Sequence, residues 1–238
     1  MLNNTANKIL VNDFLLNVDM LECIRRGSAE ILFAADGSVL LMDIPSQIYM
    51  LSSQSHKVSE HLISKIPANA EIIVSHDRFS YELLTEKFKF NNTMICYNTV
   101  YTNNSPIEQK NSKVNIKILT LKYKDIIMKH YSKAEIIGDG YIEDRLKSKV
   151  MFGAFINNDD LCGFIGTHTE GSIGMLEVLP KYRGKGIGAA LQIAATNNAL
   201  ANKRYPYGQV VEDNIASAAL QKRLGFELSK NKVYWLMK

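Results

Sequence analysis

The stretch VLPKYRGKGIGAAL, residues 178–191, decides how this chain is read. An apolar run is stopped by Pro180, which cannot donate to a strand ladder. A loop with three cations, Lys181, Arg183 and Lys185, and three glycines, Gly184, Gly186 and Gly188, comes next. From Ile187 to Asn202 there is no charge, and Ile187, Ala190, Leu191 and Ala194 recur at helical spacing. That predicts a helix buried on a sheet. A helix N-terminus carries unpaired N–H groups and partial positive charge, and glycines let an anion approach the backbone closely. Taken alone, the stretch fits an anion cradle and an exposed basic turn about equally.

Two other phosphate motifs fail on context. A P-loop needs Ser or Thr after Gly-Lys, and here Ile187 follows Gly186. Gly184, Gly186 and Ala189 satisfy G-x-G-x-x-A, with Glu212 as an acidic partner, but too little chain follows Glu212 for the strands a dinucleotide fold requires. Pro180 adds a separate clue. If the strand before it parts from YGQVVE (207–212) near Val178, unpaired peptide groups await an extended, amide-bearing ligand. Pyrophosphate at one end and amides along a thin arm describe coenzyme A.

Outward from this stretch, residues 11–25 carry helical spacing, and AEILFAADGSVLLMDI predicts two strands about an Asp36-Gly37 turn. Helices are expected over 56–66 and 77–88, strands over 70–75 and 92–101. The polar stretch 102–113, with Pro106, reads as a linker, giving an N-terminal α/β domain at 1–105 and a second domain at 113–238. The second runs β-α-α-β-β-β-α-β-α-β-β, with turns at 157–160 and near Glu170–Gly171, and closes on a hairpin in FELSKNKVYWLM. That order implies an α/β (α+β) fold with a mixed, mostly antiparallel sheet and helices on both faces. EIIVSHDRFSYELLTEKFKF and GQVVEDNIASAALQKRLGF echo one another as strand, turn, helix, aromatic. Any α/β unit gives such a pattern. The sharper reading makes the N-terminal half a degenerate copy without the phosphate loop.

The chain has 238 residues, 46% hydrophobic and 22% charged, with net charge +4 from scattered cations. These totals suit a globular protein with a real core and do not point to nucleic acid. Three distant cysteines fit a reducing, cytoplasmic compartment. No signal peptide or membrane span is expected, and no His or Cys spacing calls for a metal. Each of the five histidines reads as a surface or hydrogen-bonded residue.

VLPKYRGKGIGAAL resembles the acyl-CoA signature of the GNAT superfamily of N-acyltransferases, and EDNIASAALQKRLGF (212–226) is similar to its second signature. The run from 166 to 237 looks most like the glycine-N-acyltransferase-like, or FR47-like, branch. The resemblance implies a GNAT-like fold over roughly 113–238 and acetyl-CoA as co-substrate. It implies backbone groups of Val178 and Leu179 on the acyl and pantetheine amides. Arg183, Gly184, Lys185, Gly186, Ile187, Gly188 and Ala189 would hold the pyrophosphate, and Asn214, with Ser217 beside it, the pantetheine arm. A plainer role for Asn214 is a helix cap, which Asp213 could also supply.

The implied reaction is direct attack of an amine on the thioester. The amine, with pKa ~10, must lose a proton, the oxyanion wants an N–H donor, and the thiolate benefits from a proton. Val178 N–H is the expected oxyanion donor. Glu170 and Glu177 are both candidates for the base, with Ser172 at the position the base takes in several relatives. Gln221 stands where many relatives carry the tyrosine acid. The expected function is N-acylation of a small-molecule amine or amino acid. A non-catalytic acyl-CoA-binding module and a nucleotide-binding regulator are the alternatives. The oligomeric state is open, a homodimer among the options.

Overall fold

The computed structural model describes residues 2–109, 114–156 and 160–238. The expected turn over 157–159 and the end of the expected linker, 110–113, lie outside the described residues. The chain forms two compact units, Met1–Val100 with Tyr207–Lys238, and Tyr101–Pro206.

In the first unit, α1 (Leu2–Leu10) and α2 (Val18–Arg25) precede three antiparallel strands, β1 (Ala29–Ala35), β2 (Ser38–Asp43) and β3 (Ile48–Ser52). Asp36 and Gly37 take positive φ at the first hairpin, as a tight two-residue turn requires. The helix α3 (His56–Ser64) crosses over to β4 (Ile72–Ser75), which is parallel to β3. Then come α4 (Arg78–Lys87) and the ten-residue β5 (Asn92–Tyr101). Ser55 and Asp77 cap α3 and α4 by accepting from Val58 and Ser80 N–H groups. Leu40, Leu51, Leu62, Ile73, Leu84 and Leu236 share one core on this unit's sheet.

The unit is completed by β10 (Tyr207–Val211), α8 (Ile215–Arg223), β11 (Phe226–Leu228) and β12 (Val233–Met237), in a sheet ordered β1-β2-β3-β4-β12-β5-β10 with β11 on β5. The two echoing segments are β4-α4-β5 and β10-α8-β11-β12, and they exchange partners. β5 pairs with β10, while β12 pairs with β4 and β5. Two expectations are corrected here. The last two strands are not a hairpin, because β11 pairs with β5 and not with β12. The segment 113–238 is not one contiguous unit, because its last strands need β5 as a ladder partner; a seam falls near the expected boundary, at Val100/Tyr101, and another at Pro206/Tyr207.

One polar group is sealed inside this unit. His76 Nε2 lies 2.8 and 3.0 Å from the two carboxylate oxygens of Asp19, and Nδ1 lies 3.0 Å from the Leu51 carbonyl oxygen. Both ring nitrogens face acceptors, which is the pattern of an imidazolium. Burial alone would lower the His76 pKa, but Asp19 and the Leu51 carbonyl raise it above the ordinary value.

The second unit is a four-stranded antiparallel sheet, β6 (Asn115–Ile118), β7 (Met151–Ile156), β8 (Asp160–Thr167) and β9 (Ile173–Val178), in that order. Its helices are α5 (Lys124–His130), α6 (Ala134–Lys147) and α7 (Ile187–Ala201). Ile187, Leu191, Ala195 and Ala199 of α7 pack with Cys162, Ile165 and Ile173. Ile127, Ile142 and Leu146 of α5 and α6 pack with Met151, Phe155, Phe164 and Met175. Alternation along the strands therefore puts α7 on one face and α5 and α6 on the other.

Candidate functional site

The loop from β9 into α7 has the geometry that its composition implied. Pro180–Tyr182 make a single 3-10 turn, and Gly184 and Gly186 take φ of +75° and +77°. Gly186 is the N-cap of α7, and no side chain caps it. No acidic residue stands in the first turn. A Cβ added at Gly184 or Gly186 would meet nothing within 4 Å, so open space lies over the backbone where an anion would sit. Lys181, Arg183 and Lys185 are exposed, and no carboxylate pairs with them among the described residues. The ammonium groups of Lys181 and Lys185 both lie over the buried Tyr182 ring, at 4.7 and 5.6 Å from its centroid. Ile187 is buried in the core and fixes the helix, leaving the N–H groups of its first turn at the mouth.

Upstream, β9 is the last strand of its sheet and carries a bulge. Between paired positions, β8 advances from Phe164 to Gly166 while β9 advances from Gly174 to Glu177, one residue more. Met175, within it, has φ +54°. Beyond the bulge, Leu179 N–H donates to the Cys162 carbonyl at 2.8 Å. That makes Gly163–Val178 a non-hydrogen-bonded pair, so the peptide groups of Val178 point away from β8, along the sheet's free edge. Leu179 does not share this freedom. Its N–H is taken by Cys162, and its carbonyl accepts from Tyr182 N–H at 2.8 Å. The expectation that Leu179 backbone groups hold the ligand is therefore corrected: they close the turn, and its side chain is buried in the core.

The α5/α6 face gathers the titratable groups. Glu170 and Ser172 are both buried, and the Ser172 hydroxyl donates to the Glu170 carboxylate. Glu177 accepts from Ser132 N–H at 3.1 Å, tying β9 to the chain just after α5. Tyr131, one residue earlier, has its phenol pKa pushed up to about 12, by burial first and then by the charges of Glu177 and Glu170. Tyr141 Oη lies 2.8 Å from His168 Nδ1 and accepts from Thr169 N–H at 3.2 Å. Burial lowers the His168 pKa, with Lys133 and Arg145 acting the same way and Glu170 opposing. The His168 ring lies against Gly174, where a Cβ would stand 2.5 Å from Nε2. Tyr131 and Tyr141 went unnoticed in the sequence, where His168 was read only as one of five surface or hydrogen-bonded histidines, since no local spacing joins α5 and α6 to β8. A groove of about 550 Å³ in this unit is lined by Tyr123, Ile126, His130, Leu161, Leu179 and Tyr182 among others.

The structure places Glu170, Ser172, Glu177, Val178 and residues 183–189 in the second unit, with Glu170 and Ser172 before the start of β9 and Glu177, Val178 and the glycine loop at its end. Asn214, Ser217 and Gln221 belong to α8 in the first. Asn214 Oδ1 accepts from Ser217 N–H at 3.0 Å, so Asn214 itself, not Asp213, caps the helix. Gln221 is buried, and its Oε1 has no hydrogen-bond partner among the described residues. No three His, Cys, Asp or Glu residues are grouped to hold a metal among the described residues. No described helix is long and apolar enough to cross a membrane.

Residues 152–236 match the family model described as FR47-like protein. No curated protein matches the chain. Among solved structures, a Drosophila protein is similar over 100% of this chain and 97% of its own, at 13% identity and a TM-score of 0.68. A GCN5-related N-acetyltransferase-like protein from Streptococcus suis is similar over 98% of this chain and 100% of its own, at 15% identity and a TM-score of 0.57. A GNAT-family acetyltransferase from Colwellia psychrerythraea follows over 93% and 97%, at 14% identity and a TM-score of 0.53. The fold is the one these GNAT structures have, and residues 152–236 of the chain are similar to the FR47-like family.

Proposed function

We propose that the chain is an acyl-CoA-dependent N-acyltransferase that transfers an acetyl group to the amine of a small molecule or amino acid. One observation carries this reading: the uncapped, glycine-opened N-terminus of α7, ringed by three cations without carboxylate partners. Such a mouth suits a diphosphate. The N–H groups of Ile187, Gly188 and Ala189, with Arg183 and Lys185, would hold it, and the free edge of β9 at Val178 would take the amide-bearing arm. Val178 N–H would face the carbonyl oxygen as it gains charge.

For the base we favour Glu177, the carboxylate next to Val178; Ser172 and Glu170 stand at the other end of β9, about 20 Å along the strand and out of reach of a carbonyl held at Val178. Glu177 accepts the Ser132 N–H through Oε1, and its second oxygen can receive a proton. The amine would attack the thioester carbon, its proton would pass to Glu177, and the carbon–sulfur bond would break to release the thiolate. The three cysteines are buried thiols, which suits a reducing compartment such as the cytoplasm.

The test is release of free thiol from acetyl-CoA across a panel of amines and amino acids, paired with calorimetric titration of acetyl-CoA. Binding with turnover supports the reading, and Glu177→Gln should then lower kcat by about 10²–10⁴-fold, the usual scale for a general base. Binding without turnover on any amine favours a non-catalytic acyl-CoA module, the reading that the buried Gln221 at the tyrosine position motivates. No binding refutes both.

A further inference from the structure

We infer that Arg183 is a donor-specificity residue, closing the thioester edge of β9 until a diphosphate draws it away. The inference rests on the acyl-CoA reading of the site. Its observation is separate: Arg183 Nε donates to the Val178 carbonyl oxygen at 3.0 Å. That carbonyl points away from β8, on the sheet's free edge, and is the main-chain acceptor that an extended, amide-bearing arm would use. The 3-10 turn closes through Tyr182 N–H on Leu179 and Arg183 N–H on Pro180, which returns the Arg183 side chain five residues back to the strand it has just left. Gly184, with φ +75°, then turns the chain away toward α7.

The same guanidinium is an exposed cation with no carboxylate partner among the described residues, standing three residues before Gly186, the N-cap of α7. An anion at that mouth offers it a charge-assisted, bidentate contact, roughly twice as strong as a hydrogen bond to a neutral carbonyl. A donor with a diphosphate therefore opens its own arm site. A thioester of bare pantetheine has nothing to exchange for Val178 and must compete with Arg183 for the edge. Arg183 thus makes the chain select nucleotide-bearing thioesters over short ones.

The experiment compares acetyl-CoA with S-acetylpantetheine on wild type and on Arg183→Met, which keeps the stem and removes every donor. Affinities are read by calorimetry or ligand-observed NMR, and kcat/KM by thiol release. Thermal melts check folding, and Arg183→Lys is the second variant, since it retains charge but lacks the Nε donor. For Arg183→Met, acetyl-CoA should bind about 10–100-fold more weakly, the scale of a lost contact to a charged group, while S-acetylpantetheine should bind about 3–10-fold more tightly. Arg183→Lys should tighten S-acetylpantetheine likewise and lose less toward acetyl-CoA. Opposite signs for the two donors support the inference. Weakening of both, an unchanged S-acetylpantetheine affinity, or no detectable S-acetylpantetheine binding to either variant overturns it. If wild type fails to bind acetyl-CoA, the acyl-CoA reading itself falls, which is a distinguishable result.

Discussion

Replacing Gly186 with alanine separates the helix mouth's role in folding from its role in binding. Gly186 has φ +77°, and a Cβ there meets nothing within 4 Å. The only cost to the free protein is torsional, about 1 kcal/mol for an L-residue held in the left-handed region. For a chain of this size that lowers the melting midpoint by about 2–4 °C. Gly27 provides a matched control, because its φ is +72° and a Cβ there also meets nothing within 4 Å. It follows α2 in the first unit and is not among the residues assigned to the site. Gly27→Ala should therefore cost the same few degrees. The two variants should part on acetyl-CoA. At Gly186 the methyl fills the space above the N–H groups, displaces phosphate oxygens from hydrogen-bonding distance and weakens binding at least tenfold, about 1.4 kcal/mol. At Gly27 the dissociation constant should not change. Differential scanning fluorimetry and calorimetric titration measure the two effects on the same samples. Equal affinities for the two variants, or equal losses, would refute the placement of the diphosphate.

The His76–Asp19 pair predicts a pH dependence. The folded pKa of His76 is raised, so its stabilisation is fully present below about 6.5, the unfolded value, and is lost as pH rises through the folded value; the midpoint should fall toward alkaline pH, and Asp19→Ala, which strands the imidazolium, should cost about 3–5 kcal/mol. Gln221→Leu should raise stability by about 1 kcal/mol by removing the unpartnered buried Oε1, and should lower turnover by less than about tenfold if the amide contributes a single hydrogen bond. Fragments 1–105 and 113–238 should each fail to give a cooperative melt, because β10 and β12 lose β5 and β4 loses β12, and mixing them should restore it; a separately folded 113–238 would contradict the exchanged ladder.

Where a feature is written in neighbouring residues, it was legible. β5 and α7 fall at the positions their patterns predict, 92–101 and 187–201, and the glycine loop has the open geometry its composition implied. α1 and β3 went unassigned: LNNTANKIL is mostly polar at its start, and IYMLS is a short apolar run passed over although Pro45 and Ser46 mark a turn before it. The strand exchange was illegible for a different reason. β4-α4-β5 and β10-α8-β12 each have the local pattern of a self-contained unit, and nothing within either says that its final strand pairs with the other. Leu179 was misjudged because backbone freedom depends on ladder parity, which the β9 bulge sets. The Tyr141–His168 contact joins residues 27 apart through tertiary packing alone.

That bulge decides which groups the second unit offers to chemistry. Side chains alternate along a strand, so without it Ile173, Met175 and Glu177 would share one face. Ile173 packs with Ile187 and Leu191 on the α7 side, and an unbulged strand would press the Glu177 carboxylate into that apolar cluster at a cost of several kcal/mol. The extra residue reverses the phase. Leu176 and Val178 now pack on the α7 side with Ile173, while Glu177 turns to the α5 side and accepts Ser132 N–H. The positive φ of Met175 is the local cost of this reversal, on the order of 1–2 kcal/mol for a non-glycine residue. A regular strand could have avoided that cost only by exchanging Glu177 for an apolar residue. The chain retains the carboxylate and the strain together, on the edge strand whose Val178 carbonyl accepts from Arg183.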